Sequence, residues 1–191
     1  ETQEVERFFA GDYDTHLVGR AQWWSERFTA EEYPLIERGL IQRQKFLNFK
    51  AEGVGGVAFN TLEEPFNDIR VREAFCHLYD VEKLLDKLFF NEYVRKRSYF
   101  PRSRYEHPDN PIQDYNPEYA LELLNQAGWT KKPGDTWLTN QEEEIFEIEE
   151  FHIYQGWDRI YNFFVQDLES VGIKLNLVVI QNPFEKAMDR K

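Results

Sequence analysis

Phe59-Asn60-Thr61-Leu62-Glu63-Glu64-Pro65-Phe66-Asn67-Asp68-Ile69-Arg70-Val71-Arg72-Glu73-Ala74 is the stretch that decides the fold. It reads as a strand turning into a helix. Val57 to Asn60 is a short apolar strand, and Asn60 and Pro65 shape the turn that leaves it. Asn67 or Asp68 supplies a side-chain oxygen to cap the first amides of a helix and to favour its dipole. Val71, Ala74, Phe75 and Leu78 then recur on one face at helical spacing. Arg70 and Arg72 put two cations beside acidic neighbours.

Downstream, Asp80 caps a second helix carrying Leu84, Leu85, Leu88 and Phe89. Residues 91–115 are irregular, with Pro101, Pro108 and Pro111. Asn116-Pro117 opens a third helix with a cap and a proline at its first position. Ala120, Leu121, Leu124 and Ala127 form its apolar face, and Gly128 stops it. Gly134-Asp135 marks a turn. Phe146 and Ile148 alternate with glutamates as in a half-buried strand, and the phase slips at Glu149-Glu150 before Phe151 and Ile153, which a β-bulge explains. Tyr154 to Trp157 is a loop, Asp158 caps a long helix ending at Gly172, and Ile173 to Ile180 is a strand. This strand–helix–strand order predicts an α/β layer.

Upstream, Val5 to Ala10 reads as the end of a helix broken by Gly11-Asp12. A short strand is expected over residues 12–18 and a short helix around Trp23, Trp24 and Phe28. A further helical turn falls at Leu35 to Gly39 and a strand at Ile41 to Phe49. Gly53, Gly55 and Gly56 give a flexible break. Pro183 to Lys191 begins another helix. The pattern stops mid-element at both ends, so the chain is expected to be an internal piece of a longer protein.

Composition narrows the function. The chain has 191 residues, of which 41% are hydrophobic and 16% aromatic, so a core can form and some rings are available for a site. A net charge of −12 repels nucleic-acid phosphates and argues against tight docking on an anionic membrane. Cys76 is the one cysteine, which leaves no intrachain disulfide and no thiolate metal cluster. Beside the inward Phe75 it reads as a small buried apolar group. His16, His77, His107 and His152 have no metal-ligand spacing. No apolar run approaches the roughly 20 residues that span a bilayer.

Several stretches resemble one family in the right order. The Phe59–Ala74 stretch, Tyr79-Asp80, Phe9-Ala10-Gly11-Asp12-Tyr13-Asp14, Tyr115-Asn116-Pro117-Glu118-Tyr119-Ala120 with Ala127-Gly128, and Leu168 to Leu175 resemble the oligopeptide- and dipeptide-binding proteins of ABC importers, solute-binding family 5. Ser98-Tyr99-Phe100-Pro101 and Trp23-Trp24 resemble its subgroup for peptides and peptide-nucleotide antibiotics. The resemblance implies an α/β fold of the type II periplasmic binding-protein class, mostly one lobe plus part of the other. Residues 1–58 would belong to the first lobe, with a hinge-side strand, and 59–191 to the second.

It also implies a receptor that captures a peptide or other small solute by lobe closure and passes it to an ABC permease. The expected setting is periplasmic or extracellular, with a lipoprotein anchor an option, and the expected state is a monomer. No enzyme activity, cofactor, metal or nucleic-acid partner is expected. The alternative is a ligand-sensing domain of a regulator with the same fold. In peptide-binding members the acid that holds the ligand's amine lies beyond the position of Lys191, so the isolated chain is expected to bind weakly.

The candidate ligand-binding residues are Tyr154, Gln155 and Trp157, in a loop that follows a strand and precedes a helix, with Tyr99 and Phe100. Tyr and Trp can stack on a substrate and Gln155 both donates and accepts. The same loop could instead pack on its own domain. Trp23 and Trp24 read as core or edge residues. Arg95, Lys96, Arg97, Arg102 and Arg104 either hold an anionic group of a ligand or form a solvated face.

Overall fold

Asp68 opens the helix that the sequence places there. Its Oδ1 accepts the backbone N–H of Arg70 at 2.8 Å, and the helix runs Ile69–His77 (α3) with Val71, Ala74 and Phe75 buried. The computed structural model describes residues 2–46 and 55–180. In chain order the other elements are α1 (Thr2–Phe9), a π-helical turn (Trp23–Arg27), α2 (Pro34–Glu37), α4 (Val81–Lys87), α5 (Pro117–Gln126), β1 (Glu147–Tyr154), α6 (Asp158–Val171) and β2 (Lys174–Ile180).

The chain divides into two compact units. One comprises Glu1–Lys50 and Leu85–Val94, the other Ala51–Leu84 and Arg95–Lys191. The larger unit is built around β1 and β2, which pair in parallel. A parallel pair requires a crossover, and α6 supplies it. The register shifts between Ile148 and Phe151, so the bulge expected from the phase slip is present. One core joins α3, α5, α6 and the strands: Phe75, Leu78, Leu124, Leu138, Phe146, Phe164, Leu168 and Ile173 are all buried.

Caps fix where the helices start and stop. Asn116 accepts the N–H of Tyr119 at 3.1 Å and Pro117 sits at the first position of α5. Asp80 accepts the N–H of Lys83 at 2.9 Å at the start of α4. Gly172 ends α6 in the left-handed conformation, φ 95°, and a Cβ there would lie 3.0 Å from the Thr136 carbonyl oxygen.

The smaller unit is an aromatic cluster around α1. Phe9 stacks on Tyr33 with ring centroids 3.6 Å apart, and Phe28, buried, lies 5.3 Å from Phe9 and 5.7 Å from His16. Trp23 and Trp24 are half-buried, with Arg20 and Arg27 over the first ring and Arg43 and Lys45 over the second.

Five expectations need correction. Residues 12–18, 41–46 and 57–60 form no strand. A local stretch of residues does not specify a neighbour, and a strand exists only where another accepts and donates its backbone hydrogen bonds. Cys76 is exposed, because one residue beyond Phe75 is about 100° round a helix. Partial desolvation of its sulfur, with Glu73 nearby, pushes its pKa up. Trp157, not Asp158, is the N-cap of α6, and Asp158 lies in the first turn. The Pro183–Lys191 helix, the end of the strand expected over Ile41–Phe49, and Gly53 lie outside the described residues.

Candidate functional site

β1 ends at Tyr154, which pairs in register with Ile180 of β2. Both strands therefore finish at the same edge, and α/β folds bind ligands beyond the carboxyl ends of their parallel strands. The turn that leaves this edge is Tyr154-Gln155-Gly156-Trp157. Trp157 donates its N–H to the Tyr154 carbonyl at 3.1 Å, and Gly156 takes φ 87°, a conformation that side chains disfavour. The Trp157 carbonyl then accepts the N–H groups of Ile160 and Tyr161, which starts α6.

The turn is braced from below. Trp157 lies 6.3 Å, centroid to centroid, from Tyr161, and Tyr161 makes an edge contact with Phe151 on β1 at 5.2 Å. Phe151 in turn faces Phe164 in the core at 6.2 Å. Burial raises the pKa of Tyr161. This chain of rings fixes the turn, while Tyr154 and Trp157 keep 55% and 45% of their surface exposed and Gln155 is exposed. The arrangement offers two aromatic faces and one amide from a rigid base, which suits stacking and backbone-like hydrogen bonding.

Tyr99 and Phe100 stand in a separate irregular segment, 76% and 59% exposed. Phe100 donates its N–H to Ser98 Oγ at 3.0 Å, and its ring lies 6.1 Å from that of Tyr105. Neither ring has a contact with the Tyr154–Trp157 turn among the ring pairs of the described residues. None of the five residues lines either of two cavities. One, of about 420 Å³, lies in the larger unit between the start of α3, Ala127–Trp129 and Asn140–Glu142. The other, of about 970 Å³, lies in the smaller unit and is walled by Phe8, Phe9, Trp24 and Phe28.

A polar node in the larger unit escaped the sequence reading. Asp167, 4% exposed on α6, accepts a hydrogen bond from Lys83 Nζ at 2.8 Å. The hydrogen bond to Asp167 pushes the pKa of Lys83 up. The available signal was an acid inside the apolar face formed by Phe164, Leu168 and Val171.

The sequence profile of the bacterial extracellular solute-binding proteins, family 5 Middle, matches residues 2–191. The chain belongs to that family. It is 31% identical over 160 residues to YejA of Escherichia coli, covering 66% of this chain and 26% of YejA. The oligopeptide-binding protein AppA of Bacillus subtilis, solved with a nonapeptide, superposes on 99% of this chain with a TM-score of 0.64 and 19% identity. The chain covers 36% of AppA. The oligopeptide-binding protein of Thermus thermophilus, solved with a pentapeptide, matches 59% of this chain at 27% identity and a TM-score of 0.53, over 20% of its own length. The chain thus spans roughly a fifth to a third of these relatives, and its fold is that of a type II periplasmic binding protein, in part. Among the described residues no helix is long and apolar enough to cross a membrane.

Proposed function

We propose that this chain is the middle part of a receptor that captures peptides or peptide-like solutes outside the cytoplasmic membrane and delivers them to an ABC permease. The observation that carries the reading is family membership over residues 2–191 together with a braced, half-exposed aromatic turn at the carboxyl edge of a parallel strand pair. Capture is reversible and involves no covalent step. Residues 1–58 contribute to one lobe and 59–191 to the other, and ligand binding shifts the equilibrium toward the closed pair.

Tyr154 and Trp157 stack on the solute and Gln155 meets its backbone, with Tyr99 and Phe100 as a further aromatic contact. A peptide held by its backbone tolerates varied side chains, because water fills what the side chains leave open. Mass spectrometry of what copurifies with the full-length protein, followed by calorimetric titration of that solute, tests the reading. Recovery of short peptides that bind stoichiometrically supports it. A protein that binds no peptide, or that turns over a peptide or ester, refutes it.

A further inference from the structure

Residues 95–105 reverse the charge of the molecule. In a chain of net charge −12, the run Arg95-Lys96-Arg97-Ser98-Tyr99-Phe100-Pro101-Arg102-Ser103-Arg104-Tyr105 carries five cationic side chains and no carboxylate. A cationic patch in an acidic protein is a local sink for anions that the rest of the surface repels.

The segment is held in shape by its own hydrogen bonds. Ser98 Oγ accepts from Phe100 N–H, and Ser103 Oγ donates to the Phe100 carbonyl at 2.8 Å and accepts from Tyr105 N–H at 3.1 Å. The Arg102 N–H donates to Glu106 Oε2 at 2.6 Å, with Arg102 at φ 59°. Arg95 is an anchor: its guanidinium donates to the Gln113 carbonyl at 2.6 Å and lies 4.0 Å from Glu82. Arg104 lies over the Tyr105 ring, 4.8 Å from its centroid. Arg97 is exposed.

Tyr99, Phe100 and Tyr105 are 76%, 59% and 66% exposed. Three rings that avoid the core beside arginines match the composition of energetically dominant binding surfaces, where arginine meets carboxylate in a planar fork and aromatic rings cover apolar groups.

Resting on the receptor reading above, we infer that the 95–105 segment selects for anionic solutes, and specifically that it takes the carboxylates of acidic peptides on Arg97 and Arg104 while Tyr99, Phe100 and Tyr105 cover the adjacent apolar part. The selected solute therefore carries a carboxylate next to an apolar group.

The test titrates the full-length protein with two peptides of equal length, one bearing Glu side chains and one bearing Gln at the same places, for wild type, the double variant Arg97→Gln with Arg104→Gln, and the charge-keeping variant Arg97→Lys with Arg104→Lys. Wild type is expected to favour the acidic peptide by about tenfold, an advantage that shrinks with added salt. The Gln variant is expected to lose that ratio while its affinity for the neutral peptide stays within about twofold, which also reports that it is folded. The Lys variant is expected to keep part of the ratio.

Equal affinity of wild type for both peptides overturns the inference and leaves the receptor reading standing. So does a ratio that survives in the Gln variant. Arginine-dependent binding to phosphatidylglycerol vesicles without peptide discrimination makes the segment a lipid-facing surface and overturns it as well. Failure of wild type to bind either peptide overturns the receptor reading and this inference with it.

Discussion

Lys83 of α4 holds Asp167 of α6 across 84 residues of sequence, its Nζ 2.8 Å from Oδ1. Asp167 is buried among the apolar residues of α6, whereas Lys83 keeps more than a third of its side chain in solvent. The pair is therefore asymmetric, and so are its two deletions. Lys83→Met leaves a buried carboxylate whose remaining donor among the described residues is the Asp80 N–H at 3.4 Å. Asp167→Asn leaves an acceptor in place and a lysine free to turn to water. The expected costs are about 2–3 kcal/mol for Lys83→Met and about 1 kcal/mol for Asp167→Asn. Urea unfolding of both variants at neutral pH measures them. Equal costs would show that Asp167 is well solvated.

Alkaline pH should loosen the same region. Burial, with smaller contributions from Tyr161 and Asp167, pushes the Tyr79 hydroxyl up to about 12. The folded state then keeps a proton that the unfolded chain has released. Stability from this group is complete below the ordinary tyrosine value and falls as pH rises from there through about 12. Lys83 adds in the same direction, since its pKa is also raised, by its hydrogen bond to Asp167. Tyr79→Phe is expected to flatten the decline between pH 10 and 12 without changing its sign, since Lys83 remains. Denaturation midpoints measured across that range decide it, and an unchanged slope in Tyr79→Phe would assign the decline elsewhere.

At the acid end the start of α3 is the sensitive point. The Arg70 guanidinium, hydrogen-bonded to Asp68, holds that carboxyl below its ordinary value. Stability from it is present above the unfolded aspartate value and is lost as pH falls through the lower folded value. Asp68→Ala should cost about 1–2 kcal/mol at pH 7 and Asp68→Asn less, since an amide oxygen still caps Arg70 N–H. The gap between wild type and Asp68→Ala should narrow on moving from pH 7 to pH 3. A gap independent of pH would mean that the cap works without its charge.

Two glycines with nearly the same backbone should respond differently to alanine. Gly128 (φ 96°) and Gly172 (φ 95°) both end helices in the left-handed conformation. A Cβ at Gly128 meets nothing within 4 Å, whereas at Gly172 it meets the Thr136 oxygen at 3.0 Å and the Leu138 nitrogen at 3.1 Å. Leu138 also donates its N–H to the Gly172 carbonyl at 2.7 Å, so that backbone cannot retreat without losing a hydrogen bond. Gly128→Ala should cost about 1 kcal/mol and Gly172→Ala about 2–3 kcal/mol. Thermal unfolding of the pair gives the comparison, and a smaller loss at Gly172 would contradict the packing.

What the sequence could disclose follows the range of the forces involved. The caps at Asp68, Asp80 and Asn116 and the stops at Gly128 and Gly172 depend on a few neighbouring residues, and each stands where the residue types put it. The bulge at Ile148/Phe151 was legible because a period of two keeps count along a single strand. Strands at 12–18 and 57–60 misled because a short local stretch holds no information about a partner. Cys76 misled because adjacency in sequence was read as sharing a face. Of the candidate site, the position of Tyr154 and Trp157 at a strand's end was legible. The brace through Tyr161, Phe151 and Phe164 was not, since it joins two elements through ring packing.

The turn itself gives the prediction most directly tied to the proposed function. Tyr154 and Trp157 are about half exposed, so truncating them removes little from the core, and Trp157 is one face of a ring ladder rather than its base. If the proposed function holds, Trp157→Ala and Tyr154→Ala in the full-length protein should each leave the unfolding midpoint close to wild type while weakening peptide affinity about tenfold, as expected when a stacking ring is lost from a binding surface. Tyr161→Ala should act differently. It removes the support under Trp157 and a half-buried ring beside Phe151, so stability should fall by about 2 kcal/mol or more along with affinity. Calorimetric titration with a copurified peptide and urea unfolding on the same three variants separate contact from support. Undiminished affinity in both Trp157→Ala and Tyr154→Ala would move the binding surface away from this turn.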